Sequence, residues 1–169
     1  MVLAKRRFSL KAGIMPFQTQ RLTIHPWSAS PATPDDLTAL LTPAVLAPLP
    51  PPLQLNTSPA EWIADREAEA ETLAVHTRDG QLAGLIFLAQ FESDIHIGYL
   101  LGEDFWGKGL GSELIQGLSD WLSETRSPAR LLGGVAKDNP ASGRILQKAG
   151  FLRDEELSDS ETDMFTVRI

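Results

Sequence analysis

The stretch from Tyr99 to Ser112, YLLGEDFWGKGLGS, limits the possible fold more than any other part of the chain. An apolar run, Ile95 to Leu101, predicts a strand at its start. Three alternate glycines then lead into an amphipathic segment that predicts a helix: Gly107, Gly109 and Gly111. Glycine amides can lie directly against a ligand, and the free N–H groups at a helix start attract anions. With the charge of Lys108 added, the stretch predicts a seat for phosphate, above all for pyrophosphate.

Two common phosphate-binding motifs do not fit this loop. Gly102 to Lys108 satisfies the GxxxxGK part of a P-loop, but Gly109 stands where the magnesium-binding Ser or Thr is required. The dinucleotide-binding pattern GxGxxG fails because Gly111 comes one position too early. The loop is therefore neither a P-loop nor a Rossmann fingerprint.

A third pattern fits, and it comes with a second one. The hexapeptide Trp106-Gly107-Lys108-Gly109-Leu110-Gly111 resembles the acetyl-CoA loop of the GNAT acyltransferase superfamily. Trp replaces the usual Arg or Gln at its first position, as in the RimJ/RimL-type branch, which acetylates the N-termini of ribosomal proteins. Val135 to Ser142, running on to Gly150-Phe151, resembles the other GNAT signature: a strand, an Asn, a helix bearing Ala-Ser and a closing Gly-Phe. The resemblance covers nearly the whole chain from residue 18 to its end.

Periodicity, capping residues and turns predict the element order β-α-α-β-β-β-α-β-α-β-β. Clear local signals are the capping sequence Ser58-Pro59-Ala60-Glu61 and the Asp79-Gly80 turn between two apolar runs. The prolines from Pro43 to Pro52 are expected to prevent regular structure. The order is that of the GNAT fold, so the resemblance implies an α/β (α+β) protein. Its sheet would be mixed, mostly antiparallel and six- to seven-stranded, flanked by about four helices.

Composition sets outer bounds on organisation and partners. The 169 residues suffice for one domain, which we place at residues 15–169, with residues 1–14 as an N-terminal extension. The absence of cysteine excludes disulfides and thiolate catalysis, and the three histidines are too widely spaced for a metal motif. A net charge of −7 argues against nucleic-acid binding, and no apolar run is long enough for a membrane span. We therefore expect a cytoplasmic protein without a metal.

Two segments are candidates for the acceptor side, and each has an ordinary structural alternative. The Leu- and Pro-rich connector, Leu46 to Leu55, corresponds to the segment that covers the acceptor site in the family, with a plain linker as the alternative. Acidic residues crowd the stretch from Asp154 to Asp163, either as a solvated loop or as a rim that attracts an amine.

The resemblance implies where acetyl-CoA binds as a co-substrate. The glycine loop would hold its pyrophosphate, and its pantetheine arm would pair with the open edge of the strand ending at Leu101. A backbone amide near Leu101 would polarise the thioester carbonyl. Asn139 would hold the pantetheine arm, cap the following helix, or do both. The predicted acetyl-CoA residues are Tyr99, Leu100, Leu101, Trp106, Gly107, Lys108, Gly109, Leu110, Gly111, Ser112, Asn139 and Ser142.

Two residues are candidates for proton transfer. Many GNAT enzymes carry a Tyr seven residues after the Asn, but Leu146 stands there, and the only tyrosine, Tyr99, lies on a predicted strand. Ser142 resembles the Ser of RimJ/RimL-type members and is the predicted donor to the CoA sulfur, with a helix-packing Ser as the alternative. His96 replaces the Glu of a Glu-Ile-Gly-Tyr pattern and is the predicted base, with a surface or core His as the alternative.

Together these residues predict a GNAT N-acetyltransferase that binds acetyl-CoA and an amine at the same time. The amine would attack directly, without a covalent enzyme intermediate. The predicted acceptor is a protein N-terminal α-amine or a small-molecule amine, because an α-amine, with a pKa of about 7.7 to 8.0, needs little help from a base. The alternatives are a catalytically silent acyl-CoA-binding regulatory module and a structural interaction domain that binds no CoA. Monomer and homodimer are both compatible with the sequence.

Overall fold

Eight strands form one sheet in the structure, a computed structural model that describes residues 16–169. The strands are β1 (Phe17–Gln18), β2 (Leu22–Pro26), β3 (Glu71–Thr77), β4 (Leu82–Phe91), β5 (Asp94–Leu101), β6 (Arg130–Ala136), β7 (Leu152–Asp154) and β8 (Thr162–Arg168). The α-helices are α1 (Pro34–Leu40), α2 (Pro43–Leu46), α3 (Pro59–Glu69), α4 (Leu110–Thr125) and α5 (Pro140–Lys148). In the sheet the order is β1-β2-β3-β4-β5-β6-β8-β7. The predicted extension, residues 1–14, lies outside the described residues.

The predicted mixed, mostly antiparallel sheet is confirmed. Neighbouring strands are antiparallel except for β5 and β6, which are parallel. The sheet has one strand more than the predicted order because the short β1 pairs with β2.

One helix more than predicted, α2, lies in the proline-rich connector. Pro43 occupies its first turn, and the Thr42 side chain accepts a hydrogen bond from the backbone N–H of Val45. The expectation that the prolines prevent regular structure is therefore wrong at this point. Proline is tolerated in the first turn of a helix because the N–H that it lacks has no partner there.

The sheet carries an apolar core on each face. Helices α4 and α5 cover one face, called here the α4/α5 face, where Leu114 and Leu118 are fully buried. Helices α1 and α3 cover the other face over β3, β4 and β5, called here the α1/α3 face, where Leu37 and Trp62 are buried. Ser58 caps α3 in a capping box, as the sequence predicts. The sheet is therefore packed between helices on both of its faces.

The parallel strands β5 and β6 separate part of the way along. Their register runs from Asp94 opposite Arg130 to Ile97 opposite Gly133, and then it stops. Beyond this point β5 stays paired with β4, and β6 stays paired with β8. A wedge-shaped opening therefore lies between residues 98–101 of β5 and residues 134–136 of β6. We call this opening the cleft.

Candidate active site

The glycine loop connects the end of β5 to the start of α4. Gly107 and Gly109 have φ angles of 69° and 75°, in the left-handed region that glycine adopts without strain. Because α4 begins at Leu110, the N–H groups of its first three residues, through Ser112, cannot bond within the helix. Amides arranged in this way form a concavity for an anion, with the positive end of the helix dipole behind it. The geometry suits the predicted pyrophosphate seat.

Gly111 allows the first turn of α4 to approach the second half of α5 closely. A Cβ added at Gly111 would lie 2.7 Å from Ile145 Cδ1 on α5. Since α5 follows the end of β6 and α4 follows the end of β5, both helices start beside the cleft. Their N-terminal N–H groups therefore favour negative charge on the α4/α5 side of the cleft.

Hydrogen bonds from side chains hold the loop in shape. Trp106 Nε1 donates to Leu101 O at 2.8 Å and so fastens the loop to the end of β5. Lys108 Nζ donates to Asp104 O at 2.6 Å, which keeps its charge within the loop. Arg21 Nη1 donates to Lys108 O at 2.9 Å. Arg21 is a residue that the sequence reasoning missed, because a contact across 87 residues leaves no local pattern.

Backbone groups of β5 face the cleft at alternate residues. Ser93 O accepts a hydrogen bond from Ala129 N on the β6 side, and Leu101 O is bound by the indole of the loop rather than by β4. Because the hydrogen-bonding direction alternates along an antiparallel strand, the backbone of Tyr99 and the N–H of Leu101 face the cleft. Leu100 turns its backbone to β4 and buries its side chain on the α1/α3 face. Of the three predicted edge residues, Tyr99 and Leu101 are the ones open to a ligand.

Tyr99 and Ser142 meet at the cleft. Tyr99 Oη lies 2.7 Å from Ser142 Oγ. Ser142 lies in the first turn of α5, which Asn139 caps by accepting a hydrogen bond from Ser142 N at 3.3 Å. Burial raises the pKa of Tyr99 to about 12, and the hydrogen bond with Ser142 partly opposes that rise. Leu146, at the position of the family tyrosine, is buried in the core instead.

His96 lies across the sheet from this pair. Side chains alternate along β5, so His96 points to the α1/α3 face, whereas Tyr99 packs on the α4/α5 face. The His96 ring meets Phe91 edge to face, with 5.1 Å between the ring centroids. Burial lowers the pKa of His96, while Asp94 acts against that shift and Arg130 adds to it. The imidazole is therefore mostly neutral at pH 7, as a base must be, but the structure does not bring it together with Ser142.

The acidic stretch near the C-terminus takes part in local structure. Asp154 and Asp159 each accept two hydrogen bonds from backbone N–H groups of their own turns. Asp163 Oδ1 lies 2.9 Å from Arg153 Nε, as an ion pair between β8 and β7. These contacts account for three of the acidic side chains without an amine ligand.

Two kinds of feature are absent from the residues that the structure describes. Within residues 16–169, no group of three or more His, Asp or Glu side chains is placed to hold a metal ion. In the same part of the chain, no helix has both the length and the apolar character needed to cross a lipid bilayer.

One family model matches most of this chain. Residues 21–152 match the acetyltransferase (GNAT) domain. The protein therefore belongs to the GNAT acetyltransferase family. The resemblance carried by the two sequence signatures is confirmed.

Solved structures share the fold over almost the whole chain. An acetyltransferase from Agrobacterium tumefaciens str. C58 superimposes with a TM-score of 0.73 at 22% identity, over 96% of this chain and 99% of that one. RimL, a ribosomal L7/L12 alpha-N-protein acetyltransferase in complex with coenzyme A, superimposes with a TM-score of 0.67 at 17% identity, over 92% and 98%. The structural neighbours thus include the RimJ/RimL-type branch, and at these identities the likeness concerns the fold.

A curated protein shares part of the sequence. An uncharacterised N-acetyltransferase, p20, from Bacillus licheniformis is 36% identical over 78 residues. Those residues make up 43% of this chain and 44% of that protein, so the match spans less than half of the relative's length.

Proposed function

We propose that this protein transfers the acetyl group of acetyl-CoA to an amine by direct attack in a ternary complex, and that it does so in the cytoplasm. The cleft carries this proposal because it opens between two strands, and the helix that follows each strand starts beside it. An elongated thioester can enter such an opening with its phosphates at the glycine loop and its acetyl group between the strands. Membership of the GNAT family supports acetyl-CoA as the donor.

Backbone groups would hold most of the acetyl-CoA. Amides from Gly107 to Ser112 would bind the pyrophosphate, and the pantetheine arm would pair with Tyr99 as an added strand does. The N–H of Leu101 would then face the thioester carbonyl and stabilise the negative charge that develops on its oxygen. Asn139 already caps α5, and its amide group can still contact the pantetheine arm.

The two proposed proton-transfer residues lie on opposite sides of the sheet, which suits direct attack. Ser142, on the α4/α5 face, donates a hydrogen bond to the sulfur that leaves. His96, on the α1/α3 face, takes the amine proton directly or through water. The carbon–nitrogen bond forms and the carbon–sulfur bond breaks, with the electron pair remaining on sulfur. The thiolate then gains a proton from solvent, which balances the proton lost by the amine.

The proposed acceptor is an N-terminal α-amine of a protein or a small-molecule amine of low pKa. An α-amine, with a pKa of about 7.7 to 8.0, is partly neutral at pH 7. A lysine ε-amine, with a pKa of about 10.4, would need a stronger base than His96. The structural likeness to RimL, named for the alpha-N acetylation of a ribosomal protein, supports the N-terminal amine.

The alternative is a catalytically silent acyl-CoA-binding regulatory module. Leu146 favours it, because a buried leucine stands where many family members place a tyrosine. Such a module would bind acetyl-CoA and release no CoA in the presence of any amine. A structural interaction domain would bind neither acetyl-CoA nor CoA.

Thermal stabilisation tests the acetyl-CoA seat first. Acetyl-CoA is added to the wild type and to Gly109→Trp, with CoA and ATP as comparison ligands. A ligand at 100 times its Kd stabilises a fold by about 2.7 kcal/mol. We expect acetyl-CoA to raise the Tm of the wild type and not that of the variant. A rise in Tm with ATP alone, or no rise with any of the ligands, contradicts the proposed acetyl-CoA site.

An amine panel with free-thiol detection then separates the enzyme from the silent module. Because the chain contains no cysteine, every thiol that appears comes from CoA. CoA release that depends on an amine supports the proposed function. Binding of acetyl-CoA without release, across α-amines, polyamines and lysine, identifies the silent module.

A further inference from the structure

The hydroxyl groups of Tyr99 and Ser142 form a hydrogen-bonded pair, and their relative acidity favours one direction for that bond. The two oxygen atoms lie 2.7 Å apart. A phenol is a stronger acid than an aliphatic hydroxyl, so Tyr99 is the better donor of the two. Burial raises the pKa of Tyr99 to about 12, so the phenol keeps its proton at neutral pH. Either hydroxyl can donate at this distance, and the greater acidity of the phenol favours Tyr99 as the donor and Ser142 as the acceptor.

This direction leaves the hydrogen of Ser142 available to a ligand in the cleft. The backbone N–H of Ser142 is already bound to Asn139 Oδ1, so its hydroxyl is the group that can turn to the cleft. A hydroxyl that accepts one hydrogen bond donates a stronger one. The N-terminus of the nine-residue α5 adds positive potential at the same place. The arrangement suits an anionic atom that appears during a reaction.

We propose that Tyr99 is a positioning residue, which holds the Ser142 hydroxyl as a hydrogen-bond donor to the leaving sulfur of acetyl-CoA. This inference rests on the proposed function and adds to it. Leu146 leaves α5 without a hydroxyl at the position that the family tyrosine occupies. A hydroxyl from β5 reaches the same helix from the opposite side of the cleft and supports the serine.

Tyr99 and Ser142 contribute by placing a hydrogen-bond donor beside the sulfur, and neither residue gives up a proton in the reaction. As the amine nitrogen bonds to the carbonyl carbon, the carbon–sulfur bond breaks and its electron pair stays on sulfur. The Ser142 hydroxyl donates a hydrogen bond to that thiolate, and Tyr99 prevents the hydroxyl from turning away. The amine proton goes to His96 or to water, and the thiolate takes its proton from water.

The test is a double-variant cycle on the full chain with acetyl-CoA and the best amine of the panel. Tyr99→Phe removes the hydroxyl and keeps the ring, and it should lower kcat about 10-fold because Ser142 is misplaced. Ser142→Ala should lower kcat about 100-fold. The KM for acetyl-CoA should stay within about twofold in both variants, because the affected interaction forms in the transition state. The double variant should lose no more than Ser142→Ala alone.

Two controls separate positioning from structural damage. Ser142→Thr keeps a hydroxyl and should retain more activity than Ser142→Ala. Ser119→Ala removes a buried hydroxyl of α4 that donates to Ile115 O, and it should leave kcat unchanged.

The outcomes of the cycle are distinct. An unchanged kcat in Tyr99→Phe overturns the inference, and so do losses that multiply in the double variant, because Tyr99 then does not act through Ser142. Loss of thermal stabilisation by acetyl-CoA in Tyr99→Phe also overturns it, since the hydroxyl then serves binding. A wild type that releases no CoA with any amine refutes the proposed function itself, and this inference falls with it.

Discussion

Arg21 and Glu113 form an ion pair across 92 residues that ties the start of β2 to the first turn of α4. Arg21 Nε lies 2.7 Å from Glu113 Oε2, and the same carboxylate accepts hydrogen bonds from Arg21 N and Thr19 Oγ1. Burial alone would raise the pKa of Glu113, but these hydrogen bonds lower it below its usual value. Since Arg21 also binds Lys108 O, the pair holds the glycine loop against the sheet.

Glu113→Gln should weaken acetyl-CoA binding by loosening this loop. We expect the KM for acetyl-CoA to rise several-fold, with kcat nearly unchanged, because the loop binds donor and transition state alike. The half-exposed Arg21 limits the stability cost to about 1 kcal/mol. Steady-state kinetics measure the KM and kcat, and thermal melts measure the stability cost. Asp120→Asn, which affects an exposed contact with Gln116 on the same helix, is the control. An unchanged KM would show that the loop holds its shape without Glu113.

Gly107→Ala should cost stability and acetyl-CoA affinity together. Its φ of 69° strains any residue with a Cβ by about 1 to 2 kcal/mol, and a loop that relaxes would lose its amide concavity. Gly150→Ala is the matched control, because Gly150 also has a positive φ and no atom of the described residues lies within 4 Å of an added Cβ, but it lies just beyond the C-terminal end of α5. Both variants should melt earlier, and thermal stabilisation by acetyl-CoA should fall in Gly107→Ala alone. Equal stabilisation in both would place the ligand elsewhere.

The pH dependence of kcat/KM should reveal His96. Burial lowers the pKa of His96 below 6.5, so the neutral, basic form grows as pH rises through the lowered pKa and predominates at pH 7. We divide the kcat/KM of the wild type by that of His96→Gln at each pH. Because the amine titrates equally in both measurements, its titration cancels in this ratio. We expect this ratio to rise from pH 5 to 7 and then level off. His25→Gln should show no such slope, and a flat ratio for His96→Gln would remove His96 as the base.

Acidification should destabilise the fold through His76. This residue is 1% exposed, its Nδ1 has no hydrogen-bond partner among residues 16–169, and its Nε2 lies 3.2 Å from Ser30 Oγ. Burial lowers the pKa of His76, neighbouring His25 lowers it further, and Asp36 acts in the opposite direction. The unfolded chain therefore binds more protons, so this stability is present above about pH 6.5 and lost as pH falls towards the folded pKa. Urea unfolding from pH 5 to 8 should show the loss.

A variant identifies His76 as the cause of that slope. His76→Phe removes the titrating group from the same buried place, so its free energy of unfolding should vary less between pH 5 and 6.5 than that of the wild type. His25→Phe is the comparison. Identical slopes in wild type and His76→Phe would assign the pH dependence to other groups.

Gly134→Val should hinder the amine more than acetyl-CoA. Gly98 and Gly134 follow the last parallel pair of β5 and β6, and both positions alternate to the face that carries His96. Because neither has a side chain, the cleft stays open on that face. Gly134 is exposed, and an added Cβ would lie 3.2 Å from Met164 Sδ. We expect a lower kcat/KM for bulky amines, a smaller loss for small amines, and little change in the KM for acetyl-CoA. Unchanged amine kinetics would place the acceptor elsewhere.

Local features of the site could be predicted from the sequence because they depend on neighbours along the chain. The glycine loop needs left-handed φ angles at Gly107 and Gly109 and a helix start directly after them, and each requirement is visible in six consecutive residues. The capping sequence at Ser58 and the cap at Asn139 follow from hydrogen bonds over three residues. The prolines of the connector do not exclude a helix there, because Pro43 stands at a helix start, where its missing N–H costs nothing.

The tertiary structure alone decided which side chains meet. Tyr99 and Ser142 are 43 residues apart, and their contact depends on the point at which β5 and β6 separate. The ion pair of Arg21 and Glu113 depends likewise on how α4 packs across the sheet. Such contacts leave no periodic or motif signal, because the chain between the partners is free to vary. The sequence by itself therefore determined the family, the glycine loop and most of the order of elements, while packing decided that the only tyrosine lies within hydrogen-bonding distance of Ser142.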